Sequence, residues 1–235
     1  MSFDPYEFDR GSIPSGYTES LGQYTAKTFL WMVLGLLITF GVAIICWVTG
    51  AVYVIYQAHL VILIATLILS ITMASRIERM TVGTAISIFI AFSVLFGLTL
   101  SVYLLLFELS SVIFVFLLAA VYFGALAAYG CFTGRDLSGF RGILKSGLIF
   151  LIVFGVLGWF IPWLSAYDKI VCLVGIAIFL GYTAYDTQKI RDYYYYYAGY
   201  PEMLEKASIF SALQLYLDFL NLFLYLLRFL GRRKD

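Results

Sequence analysis

Long apolar segments are the feature of this sequence that most restricts its fold. A helix needs about 20 apolar residues to cross a bilayer, and runs of about this length recur along the whole chain. The runs cover residues 28–49, 57–75, 82–107, 111–132, 143–164, 169–190 and 208–230. They do not alternate between polar and apolar residues, as the strands of a membrane barrel do. The sequence therefore predicts an all-α membrane protein with seven transmembrane helices.

The composition supports a membrane location and limits what else the chain contains. Of the 235 residues, 63% are hydrophobic and only 12% are charged, whereas a soluble domain has about 45–50% apolar and about 25% charged residues. Seven spans leave no room for a large soluble domain. We expect a single transmembrane domain at residues 25–235, in contact with the lipid bilayer, after a flexible cytoplasmic tail at residues 1–24. The net charge of +1 gives no indication of a nucleic-acid partner.

The distribution of Lys and Arg predicts the orientation of the helices, because short cytoplasmic loops carry an excess of these residues. Ten of the 15 Lys and Arg residues fall on the side of the N-terminus, which we therefore expect to be cytoplasmic. Seven spans then place the C-terminus outside, although the tail Arg232-Arg233-Lys234 is itself basic. If the last segment instead re-enters the membrane, the C-terminus returns to the cytoplasmic side. Counting charges leaves both alternatives open.

Two acidic residues lie inside predicted spans, where a charge costs about 2.5–3.5 kcal/mol. Asp186 is near the cytoplasmic end of the sixth span, and Asp218 is near the middle of the seventh. At about 100° per helical residue, Asp218 shares a narrow stripe of its helix with several other polar residues. These residues are Ser211, Gln214, Asn221, Tyr225 and Arg228. Because the two spans run in opposite directions, we expect Asp186 and Asp218 to meet near the inner third of the bilayer.

A pair of buried carboxyl groups has a characteristic chemistry. The two groups cannot both ionise at low cost in a low dielectric, so they share a proton and titrate as a unit. When both are ionised they offer hard oxygen ligands to a divalent cation. Ca²⁺ takes about 6–8 oxygens, so two carboxylates would hold it weakly, as suits a permeant ion rather than a bound cofactor. The alternative interpretation is that each Asp hydrogen-bonds to nearby groups and only holds helices together.

Two further polar residues lie at opposite ends of the predicted second span. Arg76, at the inner end, either neutralises the carboxyl pair or simply marks the cytoplasmic boundary. His59 is the only histidine of the chain, and we expect it near the outer boundary. A single histidine cannot form a metal site by itself.

Sequence motifs surround both acids. They are residues 185–190 (YDTQKI) in the sixth span and residues 215–223 (LYLDFLNLF), followed by Leu227-Arg228, in the seventh. Both resemble the hallmark segments of the Bax inhibitor-1 family. Residues 133–140 (TGRDLSGF) and 22–24 (GQY) resemble its bacterial YccA/YbhL-like branch. The resemblance extends over roughly residues 20–230.

The resemblance carries implications for both fold and function. It implies a seven-helix fold whose last helix is surrounded by the other six, and a proton-sensitive calcium leak in a bacterial inner membrane. In this family Asp186 and Asp218 would form a hydrogen-bonded pair that senses pH. An Arg at the inner end of the second helix, here Arg76 or Arg79, would pair with them. The chain departs from a family member with calcium activity, which carries a Glu in the second helix, because no acidic residue lies within residues 59–75.

Three functions remain open on the sequence. The first is a non-enzymatic, pH-sensitive leak for Ca²⁺ and other cations, gated by protonation of the Asp pair. The second is a non-catalytic stress regulator that binds a membrane protease or another membrane protein, as some bacterial relatives are linked to such a protease. The third and lesser alternative is an intramembrane aspartyl protease, which also pairs two Asp residues on neighbouring helices. The Gly-x-Gly-Asp motif of such enzymes is here replaced by LYLD at residues 215–218.

Overall fold

A computed structural model describes residues 19–76 and 79–234, and this part of the chain is helical. Its helices are α1 (Leu21–Val48), α2 (Val52–Gln57), α3 (His59–Arg76), α4 (Val82–Leu106), α5 (Leu109–Phe132), α6 (Arg141–Phe160), α7 (Asp168–Tyr196) and α8 (Pro201–Leu230). Short 3₁₀ turns at Ser138–Phe140 and Pro162–Tyr167 precede α6 and α7. Within the described residues the β-type pairing is a single isolated bridge, between Phe107 and Arg233.

Six helices of the described part are long and apolar enough to cross a membrane, namely α1, α4, α5, α6, α7 and α8. They coincide with six of the seven predicted spans. The remaining predicted span, residues 57–75, falls on α3, and its role as a span stays a prediction. The predicted tail also stays a prediction, because residues 1–18 lie outside the described residues. Helix α1 begins at Leu21, inside the range predicted for that tail.

Local sequence signals explain where several helices begin and end. Ser20 and Gln23 form a reciprocal capping box at the start of α1, in which each side chain accepts a hydrogen bond from the other's backbone N–H. Gly50, after α1, and Gly199, between α7 and α8, have positive φ angles of 75° and 90°. Glycine adopts this conformation without steric cost. Pro201 then opens α8, where its missing N–H is not needed.

Helix α8 is the most buried of the six candidate spans. In its most apolar 18-residue window 67% of the residues are buried, against 50% for α4 and 11% for α6. Helix α8 packs against α1, α4, α5 and α7, while α6 packs against α7, and α3 against α4. The apolar side chains of α8 therefore contribute a large part of the hydrophobic core.

Hydrogen bonds between side chains also connect α8 to its neighbours. The hydroxyls of Thr28 on α1 and Ser208 on α8 are 2.9 Å apart. The Tyr216 hydroxyl lies 2.5 Å from that of Thr39, which donates to the backbone carbonyl of Ser93 on α4. Polar contacts of this kind contribute about 0.6–2 kcal/mol each between membrane helices. They fix the position of α8 against α1 and α4.

Candidate functional site: a buried aspartate pair

The α7–α8 hairpin determines which residues of the two helices face each other. Four contacts follow one another along the hairpin from its turn: Tyr193–Phe210, Asp186–Asp218, Phe179–Tyr225 and Asp168–Arg228. The α7 residues of the first three contacts, Tyr193, Asp186 and Phe179, are spaced seven positions apart. Seven residues are close to two helical turns, so these side chains lie on one face of α7. The antiparallel packing thus brings the two predicted acids together inside the helix bundle.

The side chains of Asp186 and Asp218 face each other and interact directly. Their residues are only 6% and 5% exposed. A carboxylate can only accept hydrogen bonds, so a bond between two carboxyl groups requires that one of them carries a proton. The Oδ2 atom of Asp218 is buried and has no hydrogen-bond donor as a partner among the described residues. The two carboxyl groups can therefore bond to each other only while the pair holds a proton.

Helix α5 approaches α7 closely beside this pair. A Cβ atom added at Gly130 would collide with the backbone carbonyl of Ala184 and lie 3.0 Å from Cβ of Thr187. Ala184 and Thr187 flank Asp186 in the sequence. Because glycine has no side chain, the α5 backbone can cover α7 at this point, which keeps the carboxyl pair away from lipid.

Among the described residues, Lys189 is a cation whose charge acts on Asp186, one helical turn away. Its ammonium group lies 5.4 Å from the ring centres of both Tyr185 and Tyr193, a position that favours a cation over an aromatic face. The sequence prediction had offered Arg76 or Arg79 for this role. Arg79 is exposed at the turn before α4, and the side chain of Arg76 lies outside the described residues, so the prediction for Arg76 is untested.

Comparison with known proteins decides the family. The sequence profile of the family described as "Inhibitor of apoptosis-promoting Bax1" matches residues 21–235. The chain belongs to the Bax inhibitor-1 family. This confirms the resemblance inferred from the motifs around Asp186 and Asp218.

Similar bacterial proteins support this membership over nearly the whole chain. The inner membrane protein YbhL of Escherichia coli is 37% identical over 226 residues, which cover 91% of this chain and 93% of YbhL. An uncharacterized protein of Rickettsia prowazekii is also 37% identical, over 223 residues and 93% of each chain. A Deinococcus radiodurans protein is 32% identical over 214 residues, covering 90% of this chain and 91% of its own. The names of these relatives describe no enzymatic activity. With its apolar helices, this Bax inhibitor-1 family protein is an integral membrane protein.

The predicted polar stripe on α8 divides into two parts. Toward the start of the helix, Ser211 is buried and its hydroxyl has no hydrogen-bond partner among the described residues, while Gln214 is half-buried. Beyond Asp218 the stripe is occupied by other contacts. Asn221 donates to the carbonyl of Leu217 in its own helix, and the Tyr225 ring packs on Phe179 at 5.8 Å.

Arg228, the last residue of the predicted stripe, is not close to the carboxyl pair. It forms an ion pair with Asp168 at the start of α7, and both side chains are about one-third exposed. Ten residues of helix separate it from Asp218, a rise of about 15 Å. Ser211 and Asp218 thus lie together on a buried face of α8. Arg228 lies near the end of α8 that is distant from the α7–α8 turn.

Gln188 connects the family's loop motif to the helix that carries Asp186. Its side-chain oxygen accepts from the backbone N–H of Leu137 at 2.9 Å, and its amide donates to the carbonyl of Arg135 at 2.8 Å. Leu137 is buried beside Ala184 and Tyr185. The sequence analysis quoted Gln188 in a motif without assigning it a role, although a buried amide needs partners from outside its own helix.

Asp136 stabilises the same loop by hydrogen bonds to another residue of the loop. Its carboxylate accepts from the hydroxyl of Ser138 at 2.7 Å and from the backbone N–H of Ser138 at 2.8 Å. These hydrogen bonds, that of the hydroxyl first, lower the pKa of Asp136 because they stabilise the charged form. The loop is therefore held in one conformation by Asp136 internally and by Gln188 from α7.

Within the described residues no group of three or more His, Cys, Asp and Glu side chains is arranged to hold a metal ion. The carboxyl pair alone supplies at most four oxygens, fewer than the about 6–8 that Ca²⁺ takes in a stable site. What the arrangement can do chemically is therefore to gain and lose a proton and to contact a cation transiently.

Proposed function

We propose that this protein is a pH-sensitive leak channel for Ca²⁺ and related cations, gated by protonation of Asp186 and Asp218. The observation that carries the proposal is the direct contact of two buried carboxyl groups inside the helix bundle. A contact between two acids exists only while a proton is shared, so it is a switch that responds to proton concentration. Buried ionisable groups inside membrane helices commonly mark ion or proton pathways.

The direction of gating follows from the charges. As the pH rises, the shared proton is lost and two carboxylates face each other in a low dielectric. Their repulsion drives α7 and α8 apart at this level. The separated carboxylates, with the unpartnered oxygens of Asp218 and Ser211 on the same face of α8, then line a negative path for a cation. We therefore expect the flux of Ca²⁺ to rise between pH 6 and pH 8.

The proposal includes the location and the orientation of the chain. We place it in a bacterial inner membrane, as the name of the Escherichia coli relative suggests. Helix α3 is the seventh span, α8 lies in the centre of the bundle, the N-terminus is cytoplasmic and the C-terminus is outside. The high burial of α8 and its contacts with four other helices support the central position.

Flux measurements in liposomes test the gate. Purified protein is reconstituted into vesicles that contain a fluorescent Ca²⁺ indicator, and the flux is recorded between pH 6 and pH 8. The test variants are Asp186→Asn and Asp218→Asn. An Asn amide can donate to the remaining carboxylate as a protonated Asp does, so the fold is retained while the shared proton is removed. We expect both variants to lose the pH dependence.

Asp192→Asn is the matched control, because Asp192 lies on the same helix but is exposed. It should keep the pH dependence of the native chain. A flux that is independent of pH in the native protein, or that keeps its pH dependence in both pair variants, contradicts the gate. An absence of flux combined with retained binding of a membrane protein in pull-downs would favour the stress-regulator alternative.

The paired carboxyl groups also favour a second candidate function, an intramembrane aspartyl protease, in which two carboxyl groups activate a water molecule. The discriminating measurement is cleavage of a helical reporter peptide in the same vesicles. Cleavage that is lost in Asp186→Ala and in Asp218→Ala would establish the protease. Unchanged reporter together with pH-dependent Ca²⁺ flux would establish the leak.

A further inference from the structure

A cavity of about 360 Å³ lies at the end of the bundle where α4 and α8 finish and α3 begins. Its lining includes the side chains of His59, Arg228 and Arg233. This cavity is separate from the aspartate pair, since about 15 Å of helix rise lies between Asp218 and Arg228. None of the functions considered above uses it.

One side of the cavity is rich in hydrogen-bond donors. Arg228 uses part of its guanidinium for the ion pair with Asp168, but a guanidinium has five N–H donors. Arg233 lies over the ring of Phe107, with 6.0 Å between the guanidinium carbon and the ring centre. A contact with a ring leaves the N–H donors of a guanidinium able to bind an anion. His59 also lines the cavity, and its Nδ1 atom has no hydrogen-bond partner among the described residues.

The other side of the cavity is apolar. Val102, Leu106 and Phe107 contribute to it, and the ring of Tyr103 is stacked on that of Phe107 at 6.4 Å with an interplanar angle of 13°. Leu106 and Tyr56 are 48% and 61% exposed, so the apolar side is continuous with the surface that faces lipid. The cavity therefore combines cationic donors with a hydrocarbon-compatible wall.

Backbone hydrogen bonds hold this cavity in shape. The C-terminal segment forms an antiparallel bridge with Phe107 through Arg233. The N–H of Glu108 donates to the carbonyl of Arg232, and the N–H of Lys234 donates to the carbonyl of Leu106, both at 3.0 Å. The segment is thus attached to the α4–α5 connection on both sides of Arg233, which places the guanidinium at the cavity in advance of any ligand.

The charge at this end of the bundle favours an anion. Among the described residues at this end, the basic ones are Lys169, Arg228, Arg232, Arg233 and Lys234, and the acidic ones are Asp168 and Glu108. Asp168 is already neutralised by Arg228. Planar guanidinium groups bind phosphate through paired, charge-assisted hydrogen bonds. A free inorganic anion would use the donors alone, whereas a phospholipid would use both the donors and the apolar wall.

We propose that this cavity binds the phosphate group of an anionic phospholipid, whose acyl chain lies along the exposed side chains of Leu106 and Tyr56. Arg233 and Arg228 donate to the phosphate oxygens. The site is independent of the aspartate pair and of its proposed gating. Its occupation would fix the C-terminal segment against the α4–α5 connection, so the lipid also stabilises this end of α8.

Native mass spectrometry of the full chain tests the proposal directly. The protein in detergent is mixed with equal amounts of phosphatidylglycerol, which is anionic, and phosphatidylcholine, which is zwitterionic, and the bound lipid is identified and titrated. The test variant is Arg233→Gln, which removes the charge and leaves the backbone bridge intact. The matched control is Lys169→Gln, which removes the same charge at the same end from an exposed residue outside the cavity lining.

We expect the native chain and Lys169→Gln to bind phosphatidylglycerol in preference to phosphatidylcholine, and Arg233→Gln to bind it about tenfold more weakly. Equal binding of the two lipids, or the same loss in Lys169→Gln as in Arg233→Gln, overturns the proposal. A further arm adds excess inorganic phosphate. If phosphate binds in an Arg233-dependent way and displaces the lipid completely, the cavity is a site for free phosphate, which also overturns the assignment to a lipid.

Discussion

Two charged contacts join α7 to α8, and they differ in kind. Near the middle of α8 two acids face each other, Asp186 and Asp218, and both are buried. At the far end of the hairpin the contact joins opposite charges, Asp168 and Arg228, and both are partly exposed. The same pair of helices therefore carries a like-charge contact and an opposite-charge contact about 15 Å apart.

One helical hairpin thus combines a contact that depends on pH, the acid pair, with a contact that does not require a shared proton, the ion pair. Asp168 and Arg228 carry opposite charges, so their contact needs no shared proton. Asp186 and Asp218 compensate each other only through a shared proton, and loss of that proton turns attraction into repulsion. A change of pH is therefore expected to move α7 relative to α8 at the acid pair, while the distal end stays in place.

The largest effect is expected from the glycine that lets α5 cover the acid pair. In Gly130→Ala the new methyl group meets the carbonyl of Ala184, a backbone atom that cannot rotate away. We expect a loss of about 2 kcal/mol or more in the free energy of unfolding, as for overpacked cores, measured by thermal unfolding in detergent. Gly124→Ala is the control on the same helix, because nothing lies within 4 Å of its added Cβ. Equal stability of the two variants would show that α5 does not constrain the pair.

Gln188→Ala is expected to have the next largest effect, because it releases the loop next to Asp186. The substitution removes two hydrogen bonds and leaves the N–H of buried Leu137 without its acceptor. We expect a loss of about 1–2 kcal/mol and faster amide hydrogen exchange across residues 133–140, with the C-terminal segment unchanged. Ser138→Ala serves as the control, since it removes only a hydrogen bond to exposed Asp136 within the loop. Exchange that is unaltered in Gln188→Ala would contradict the role of Gln188 as the attachment of this loop.

Removing the cation beside the acid pair tests the charge balance of the switch. Lys189 favours the ionised form of Asp186. In Lys189→Met the pair therefore retains its proton to higher pH, and the midpoint of the curve of Ca²⁺ flux against pH should move upward by about one unit, equivalent to about 1.4 kcal/mol. Tyr182, on which the charges of both acids act, is unchanged. Arg191→Met provides the control two residues away, and a midpoint that moves down, or moves equally in both variants, contradicts this assignment.

The parts of the sequence prediction that rest on regular helix geometry are the candidate spans and the meeting of the two acids. The spacing of apolar runs located six of the candidate spans, because hydrophobic length alone determines them. The cost of burying a charge singled out Asp186 and Asp218, and the antiparallel order of the last two spans brought them together. These conclusions require only the rise and the period of a helix, which vary little from one protein to another.

Contacts that depend on where helices touch, or on how loops fold back, could not be predicted in the same way. The stripe on α8 was assigned to one environment because its residues share an angle, but Arg228 lies beyond the acid pair, at the other end of the helix. Lys189 belongs to the motif at residues 185–190, but the motif alone assigned it no role beside Asp186. The attachment of residues 135–137 to Gln188 spans more than 50 residues of sequence, and no local pattern encodes it.

The smallest effect is expected at the opposite-charge contact. Because Asp168 and Arg228 are about one-third exposed, solvent screens their attraction, and such pairs contribute about 0–1 kcal/mol. A double-mutant cycle with Asp168→Asn and Arg228→Gln, followed by thermal unfolding, should give a coupling energy below about 1 kcal/mol. Asp168→Asn alone should leave the midpoint of the flux–pH curve in place, since its carboxylate is distant from the acid pair. A shift as large as that of Lys189→Met would mean that the whole hairpin moves as one body, and that the distal contact belongs to the switch.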